Sequence, residues 1–199
     1  MSKIQALRDK YEKIDDERFF KEVFVDEEYK SALDIKADVV VDVGALAGEF
    51  CAYIYPKAKV IYAIEPFPDH YKELVENIQE FNLTKIKPFN IALSDTNDFQ
   101  SLKTNKARGG HNLSPGEDEN LVQTKTLAVF MQEQNIKHID ILKIDIEGGE
   151  QYVFGSEDFA DVADKISFII GEHLEGQRDR LKSFGFTSLE NDPTAYTKL

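Results

Sequence analysis

Two apolar runs, each ending at a chemically distinctive residue, set the frame. Val39, Val40, Val41 and Val43 are β-branched neighbours, a composition that suits a strand buried on both faces within a parallel sheet. Gly44 and Gly48 then bracket a tight turn, where the missing Cβ lets a ligand approach and the first amides of the next helix offer donors. The second run, VIYAI over 60–64, ends in Glu65, 21 residues after Gly44. That separation fits strand, helix and strand in an open α/β sheet, and a carboxylate so placed accepts hydrogen bonds from both hydroxyls of a ribose.

Around this pair the periodicity turns helical. Ile4, Leu7, Tyr11 and Ile14 recur at three and four, with Asp15 and Asp16 as a break, and Phe19, Phe20, Val23 and Phe24 form a second apolar patch. Both predict helices covering one side of the sheet, an N-terminal extension over 1–38 ahead of a domain over 39–199. A substrate lid or dimer arm is the other reading of this segment. Pro66 holds Glu65 extended and Pro68 opens a helix carrying Tyr71, Leu74, Val75 and Ile78. The strand predicted at about 86–93 contains Pro88, which cannot donate to a ladder and so belongs on a sheet edge or in a bulge; the outer place of a third strand in a doubly wound half agrees with an edge.

Residues 94–120 are rich in Asp, Asn, Ser, Gly and Pro and read as an insertion. Within it, Phe99–Thr104 pairs with Leu121–Lys125, and the loop between them offers Arg108, His111 and Asn112 as substrate contacts, unless it is a solvated tip. A short helix over 126–134 leads back to the sheet.

The stretch IDILKIDIEGGE, 139–150, carries Lys143, Asp145 and Glu147 in alternation after apolar strand residues. Charges in a central parallel strand cost desolvation, so this row is expected at the carboxyl edge, facing a wet crevice. The competing explanation is a structural ion pair between Lys143 and one acid. A fifth parallel strand, ISFII over 166–170, leads to Gly171, Glu172 and His173. His173 is placed beside the cleft, and His70 and His138 on a helix surface or loop. A helix over 177–184 and strands at 186–189 and 195–199 around Asn191, Asp192 and Pro193 complete a terminal hairpin.

Composition narrows the chemistry. A chain of 199 residues suits one domain, and a net charge of −13 argues against nucleic acid and anionic membrane as partners. The single Cys51 excludes an internal disulfide and a cysteine-built zinc site, and reads as a small buried apolar residue. With no signal peptide or membrane span in the pattern, the cytoplasm is the expected compartment. Asp42 and Glu65, placed together at the mouth, suit a ribose-bearing cofactor without a phosphate chain, and S-adenosylmethionine fits that description.

The motifs DVGALAGEF, IEPFP, NIALSD, TKTL and above all LKIDIEGGE followed by an apolar strand and EH, in this order, resemble the FkbM-like methyltransferases. The resemblance covers about 39–199. It implies an α/β, Rossmann-like class I methyltransferase fold, with a seven-stranded mostly parallel sheet and a C-terminal antiparallel hairpin. It also implies S-adenosyl-L-methionine held by Asp42, Gly44, Ala45, Gly48, Glu65, Pro66, Ala92 and Asp145, and O-methylation of a hydroxyl on a sugar or other small natural product. The chain departs from the family at Leu46, where asparagine is usual in the glycine turn, and at Ala128, where an acid usually follows the TL pair.

An alcohol acceptor must lose a proton, which makes Asp145, Glu172 or His173 the candidate base, with Lys143 keeping the carboxylates ionised and Glu147 orienting the acceptor. No metal is required by this scheme, although Asp145, Glu147 and Glu172 are oxygen ligands of the kind magnesium takes. A homodimer is left open. Two rivals remain at this stage. A dinucleotide oxidoreductase expects Gly-x-Gly-x-x-Gly, which Ala45 and Leu46 interrupt, and a degenerate, non-catalytic binding protein is kept open by Leu46.

Overall fold

The computed structural model describes residues 2–13, 17–103, 112–114 and 121–198. Helices α1 (Lys3–Tyr11) and α2 (Glu17–Phe24) precede β1 (Val39–Val43), α3 (Glu49–Ile54), β2 (Val60–Ile64), α4 (Pro68–Glu80) and β3 (Ile86–Phe89). A small second sheet follows from β4 (Ala92–Leu93), β5 (Phe99–Lys103), β6 (Asn112–Ser114) and β7 (Leu121–Lys125). Then come α5 (Leu127–Glu133), β8 (Ile139–Ile144), α6 (Glu150–Gly155), α7 (Ala160–Ala163), β9 (Ile166–Ile170), α8 (Arg178–Ser183), β10 (Phe186–Leu189) and β11 (Asp192–Lys198).

The main sheet runs β10-β11-β9-β8-β1-β2-β3. β1, β2, β3, β8 and β9 are parallel, and β11 returns antiparallel between β9 and β10. Strand order reverses between β1 and β8, so their carboxyl ends splay apart there and open the crevice in which ligands of such sheets bind. Alternation along each strand feeds two cores. Val40, Ile61 and Ile141 face α1 to α4, whereas Val41, Ile64 and Leu142 face α5 to α8.

The valine run, the seven strands and the terminal hairpin match the sequence reading, and Pro88 does lie on the edge strand β3. The strand expected over 86–93 is divided: β3 ends at Phe89, and Ala92–Leu93 leave the main sheet to pair with β7. A proline-bearing edge holds its strand weakly, so the chain is free to turn after four residues. Of the expected first helix, Ile14, Asp15 and Asp16 lie outside the described residues, as do Thr104, Arg108 and His111. Leu7, Tyr11, Val23, Phe24 and Tyr29 share one core with β1 and β2, so the N-terminal extension is packed into the domain it precedes. Among the described residues no helix is long and apolar enough to cross a membrane.

Candidate functional site

A cavity of about 390 Å³ opens at the strand-order reversal. One wall is Gly44 and Leu46 after β1 with Glu65, Pro66 and His70 after β2; the second is Asp145, Glu147, Gly148, Gly149, Gln151 and Tyr152 after β8; Ala92, Leu93 and Leu102 of the small sheet close the side.

The Gly44 turn is fixed by close backbone packing. Gly44 has φ +79°, and a Cβ there would stand 1.9 Å from the Asp145 carbonyl oxygen, so only glycine lets the two chain segments meet at the crevice. Leu46 also adopts the left-handed region, φ +47°, a conformation that costs a residue with a Cβ roughly 1–2 kcal/mol. Asparagine tolerates it better, which accounts physically for the residue usual in this turn. Leu46→Asn is accordingly expected to hold or raise stability, by up to about 1 kcal/mol or 2–4 °C in Tm, despite the loss of apolar surface; a thermal melt checks this.

Glu65 is buried and held by two backbone donors, Leu46 N–H at 2.9 Å and Phe67 N–H at 2.8 Å, one to each carboxylate oxygen. Burial pushes its carboxyl up to about 7, against the opposing pull of those two amides and of Lys143. His70 Nδ1 is 3.9 Å from Glu65 Oε1. The expectation that His70 sits on a helix surface is corrected: it is buried and lines the cavity, because Pro68 starts α4 at once and its first turn faces back over Glu65. His138, by contrast, does lie on the surface, bonded to Ser167 Oγ at 2.9 Å.

Asp42 does not reach the cavity mouth where the sequence reading put it beside Glu65. It is wholly buried, because the parallel register sets it beside Lys143. Lys143 Nζ lies 3.2 Å from Asp42 Oδ1 and donates to the Gly44 carbonyl at 2.8 Å. Burial works against the Lys143 charge, but Asp42 and then Asp145 outweigh it and hold the ammonium above its ordinary value. Cys51, buried as expected, donates its thiol to Asp42 Oδ2 at 3.1 Å. Both readings of the LKID row therefore apply: Lys143 belongs to a structural pair, and Asp145 reaches the crevice.

Asp145 accepts a hydrogen bond from the Tyr29 hydroxyl at 3.1 Å and lies 3.9 Å from Lys143 Nζ. Burial, then Asp145 itself, raises the Tyr29 phenol well above its ordinary value, so it stays protonated and donates. Tyr11 donates to the Ala47 carbonyl at 2.8 Å, and Asn77 Nδ2 donates to the same oxygen at 3.0 Å. Tyr11 was read from sequence only as an apolar position of the first helix, and Tyr29 was not named at all. Nothing local marks their partners, since Tyr29 and Asp145 are 116 positions apart. Glu150 fixes the loop after β8 by accepting from Ile146 N–H at 2.9 Å, and Glu147 is held at φ +54°. Non-glycine residues in this backbone region thus stand on both walls, the kind of strain that gathers at binding sites.

The remaining sequence-derived residues divide. Gly44, Glu65, Pro66, Ala92, Asp145 and Glu147 line the cavity. Ala45 lines a narrow neighbouring crevice with Tyr29 and Lys143. Gly48 is buried where a Cβ would meet Leu74 Cδ1 at 2.9 Å, so it serves helix packing. Glu172 and His173 follow β9 and are not among the lining residues. Glu172 instead meets Glu22 and Glu28 of the N-terminal segment, their oxygens all within 4.8 Å. Burial and then the nearby Asp145, Glu22 and Glu28 charges push its carboxyl up to about 7.

With this geometry established, residues 42–188 match the methyltransferase FkbM domain. The chain belongs to that family. A curated relative, Methyltransferase 1 of Beauveria bassiana (strain ARSEF 2860), is 25% identical over 167 residues, 71% of this chain and 67% of that protein. Among solved structures, methyltransferase FkbM from Methylobacillus flagellatus KT aligns with TM-score 0.54 and 14% identity over 81% of this chain, which spans 44% of the length of that one. M. capricolum TrmK, solved with S-adenosylhomocysteine, aligns with TM-score 0.51 and 16% identity over 85% of this chain and 64% of its own. At such identities the two structures speak to the shared fold, and the order β3-β2-β1-β8-β9-β11-β10 is the class I methyltransferase arrangement that the motifs imply. At the second departure from the family, Ala128, the helix start is kept by Thr126, whose side chain accepts from Val129 N–H at 3.3 Å.

Proposed function

We propose that this FkbM-family chain transfers a methyl group from S-adenosylmethionine to a hydroxyl of a small molecule. The observation that carries this is the pairing of the Gly44 turn with the amide-held Glu65 carboxylate on one wall of a single cavity, opposite Asp145 and Glu147. Glu65 keeps lone pairs for ribose hydroxyls while its position is set by backbone. No lysine or arginine lines the cavity among the described residues, which suits a cationic sulfonium and disfavours a pyrophosphate. When bound, the cofactor supplies an electrophilic methyl group.

The residues of the chain do the rest. Asp145, steadied by Tyr29 and near Lys143, faces the cofactor as a fixed negative charge. Glu147, on the same segment and free of those two partners, takes the proton of the acceptor hydroxyl. This assigns the proton to Glu147 in place of Asp145, Glu172 or His173, because Glu172 and His173 stand outside the cavity lining and Asp145 is engaged by Tyr29 and lies near Lys143. A small acceptor rather than a nucleic acid is supported by the net charge of −13.

Calorimetric titration with S-adenosylhomocysteine, set against NAD, tests the reading; tight binding of NAD and none of the nucleoside thioether would overturn it. Incubation with methyl-labelled S-adenosylmethionine and hydroxylated acceptors then separates an enzyme from a protein that only binds. A pH profile follows from Glu65. Its ionised form accepts from ribose, so affinity for S-adenosylhomocysteine is expected to rise about tenfold from pH 6 to pH 8 as a group of pKa near 7 loses its proton. In the unliganded protein the sign is opposite. The folded carboxyl is raised, so its contribution to stability is fully present below about pH 4.5 and is lost as pH rises through about 7. Glu65→Gln should flatten both profiles.

A further inference from the structure

We infer that His70 is a positioning residue for the donor: as an imidazolium beside Glu65 it holds that carboxylate ionised, in the form that accepts from ribose hydroxyls. His70 is buried and lines the cavity, with Nδ1 3.9 Å from Glu65 Oε1. That separation is too long for a hydrogen bond and short enough for an ion pair, which favours the charged form of both partners. The ring is also held from its other side. Phe67 meets it edge-on, with ring centres 4.9 Å apart and planes at 65°, and Phe67 itself packs against Ala92, Leu102 and Val122 of the small sheet. Packing, and not Glu65 alone, therefore sets where the imidazole stands.

The distribution of charge gives the imidazole this task. Of the residues lining the cavity, His70 is the one that can carry a positive charge. Lys143 favours an ionised Glu65 from behind the wall, but its ion partner Asp42 acts in the opposite sense and offsets part of that help. Burial alone would keep the carboxyl protonated. The amides of Leu46 and Phe67 oppose it from the backbone, and a cation at His70 adds to them from the side chains. Most groups around the ring favour its charge: Glu65 beside it, Asp145 and Glu147 across the cavity, and Asp69 and Glu73 on α4. The positive end of α4 acts against it. Histidine suits the place because its ordinary titration spans the range in which Glu65, pushed up to about 7, loses its proton.

This role rests on the reading of the cavity as the donor site, and the two are separable. Calorimetry follows S-adenosylhomocysteine affinity from pH 6 to pH 9 in the parent, in His70→Leu, His70→Asn and His70→Lys, and in His70→Leu combined with Glu65→Gln. His70→Leu and His70→Asn should move the midpoint of the affinity rise up by about one pH unit, a loss of about fivefold at pH 7 that shrinks to below about twofold at pH 9. His70→Lys keeps a cation there and should leave the midpoint at or below that of the parent. On the Glu65→Gln background His70→Leu should cost nothing further. A loss equal at every pH, or equal with and without the Glu65 carboxylate, is what a merely structural histidine gives and overturns the role; so does an unmoved midpoint. NMR of the His70 ring decides the pair without ligand. Its resonances should titrate at a lower pH in Glu65→Gln than in the parent, and a ring that titrates alike in both, or is already neutral at pH 6 in the parent, overturns the pair. Failure of the parent to bind the thioether overturns the donor reading instead, and the ring titration still decides whether His70 and Glu65 are coupled.

Discussion

Lys143→Met is expected to lower stability by about 3–5 kcal/mol, the cost of leaving a buried charge without its partner. Asp42 is wholly buried and Lys143 almost so, at 3.2 Å. Removal of the ammonium leaves Asp42 with the Cys51 thiol alone on its second oxygen. It also frees the Gly44 carbonyl, which Lys143 Nζ holds at 2.8 Å, so weaker binding of S-adenosylhomocysteine should accompany the loss. The double variant Asp42→Leu with Lys143→Met removes both charges and should recover much of the stability, because a buried pair replaced by apolar side chains of similar volume is often neutral. Urea denaturation of both variants measures the difference. A single variant as stable as the parent would mean that the pair contributes no more than its own desolvation.

Gly44→Ala should abolish binding of S-adenosylhomocysteine, at least a hundredfold in affinity, and cost about 2–3 kcal/mol of stability. Two effects combine there. The backbone angle of +79° penalises a Cβ by roughly 1–2 kcal/mol, and the new methyl would stand 1.9 Å from the Asp145 carbonyl oxygen, so β1 and the segment after β8 must separate. Gly148→Ala is the control. It has φ +91° but open space around the added Cβ, so it should cost only the conformational part, about 1 kcal/mol. Thermal melts and thioether titration on the two variants distinguish them. Equal effects would show that backbone angle alone decides, and the close approach across the crevice would be irrelevant.

How much of this was legible beforehand differs by residue. Val39 to Val43, the Gly44 turn and Glu65 follow from local rules: β-branched runs make buried strands, only glycine fits a turn of positive φ against another backbone, and an acid ending the second strand lands on the same rim. The charged row Lys143, Asp145 and Glu147 was correctly sent to the carboxyl edge, because charges in a central strand must find a partner or water. His70 was placed on a helix surface or loop although a signal for its burial existed. Pro68 at the first helical position puts the third residue of α4 in the turn nearest Glu65. Periodicity placed Tyr11 on the buried face of the first helix, but for its hydroxyl and for Tyr29 no signal existed, since their partners Ala47 and Asp145 are brought to them by packing alone.

The sequence by itself determined the strands of the main sheet apart from where the third one ends, the glycine bend, the terminal hairpin and the family, since each depends on short-range patterning or on motifs read in order. Only the tertiary structure decided which acids face the cavity. Asp42 was withdrawn into an ion pair by register with Lys143, Glu172 was set against Glu22 and Glu28 by the packing of the N-terminal segment, and Asp145 and Glu147 were left on the wall. The physical reason is that the direction and partners of a charged side chain are set by what lies across the sheet or packs above it, and those neighbours are distant in the chain.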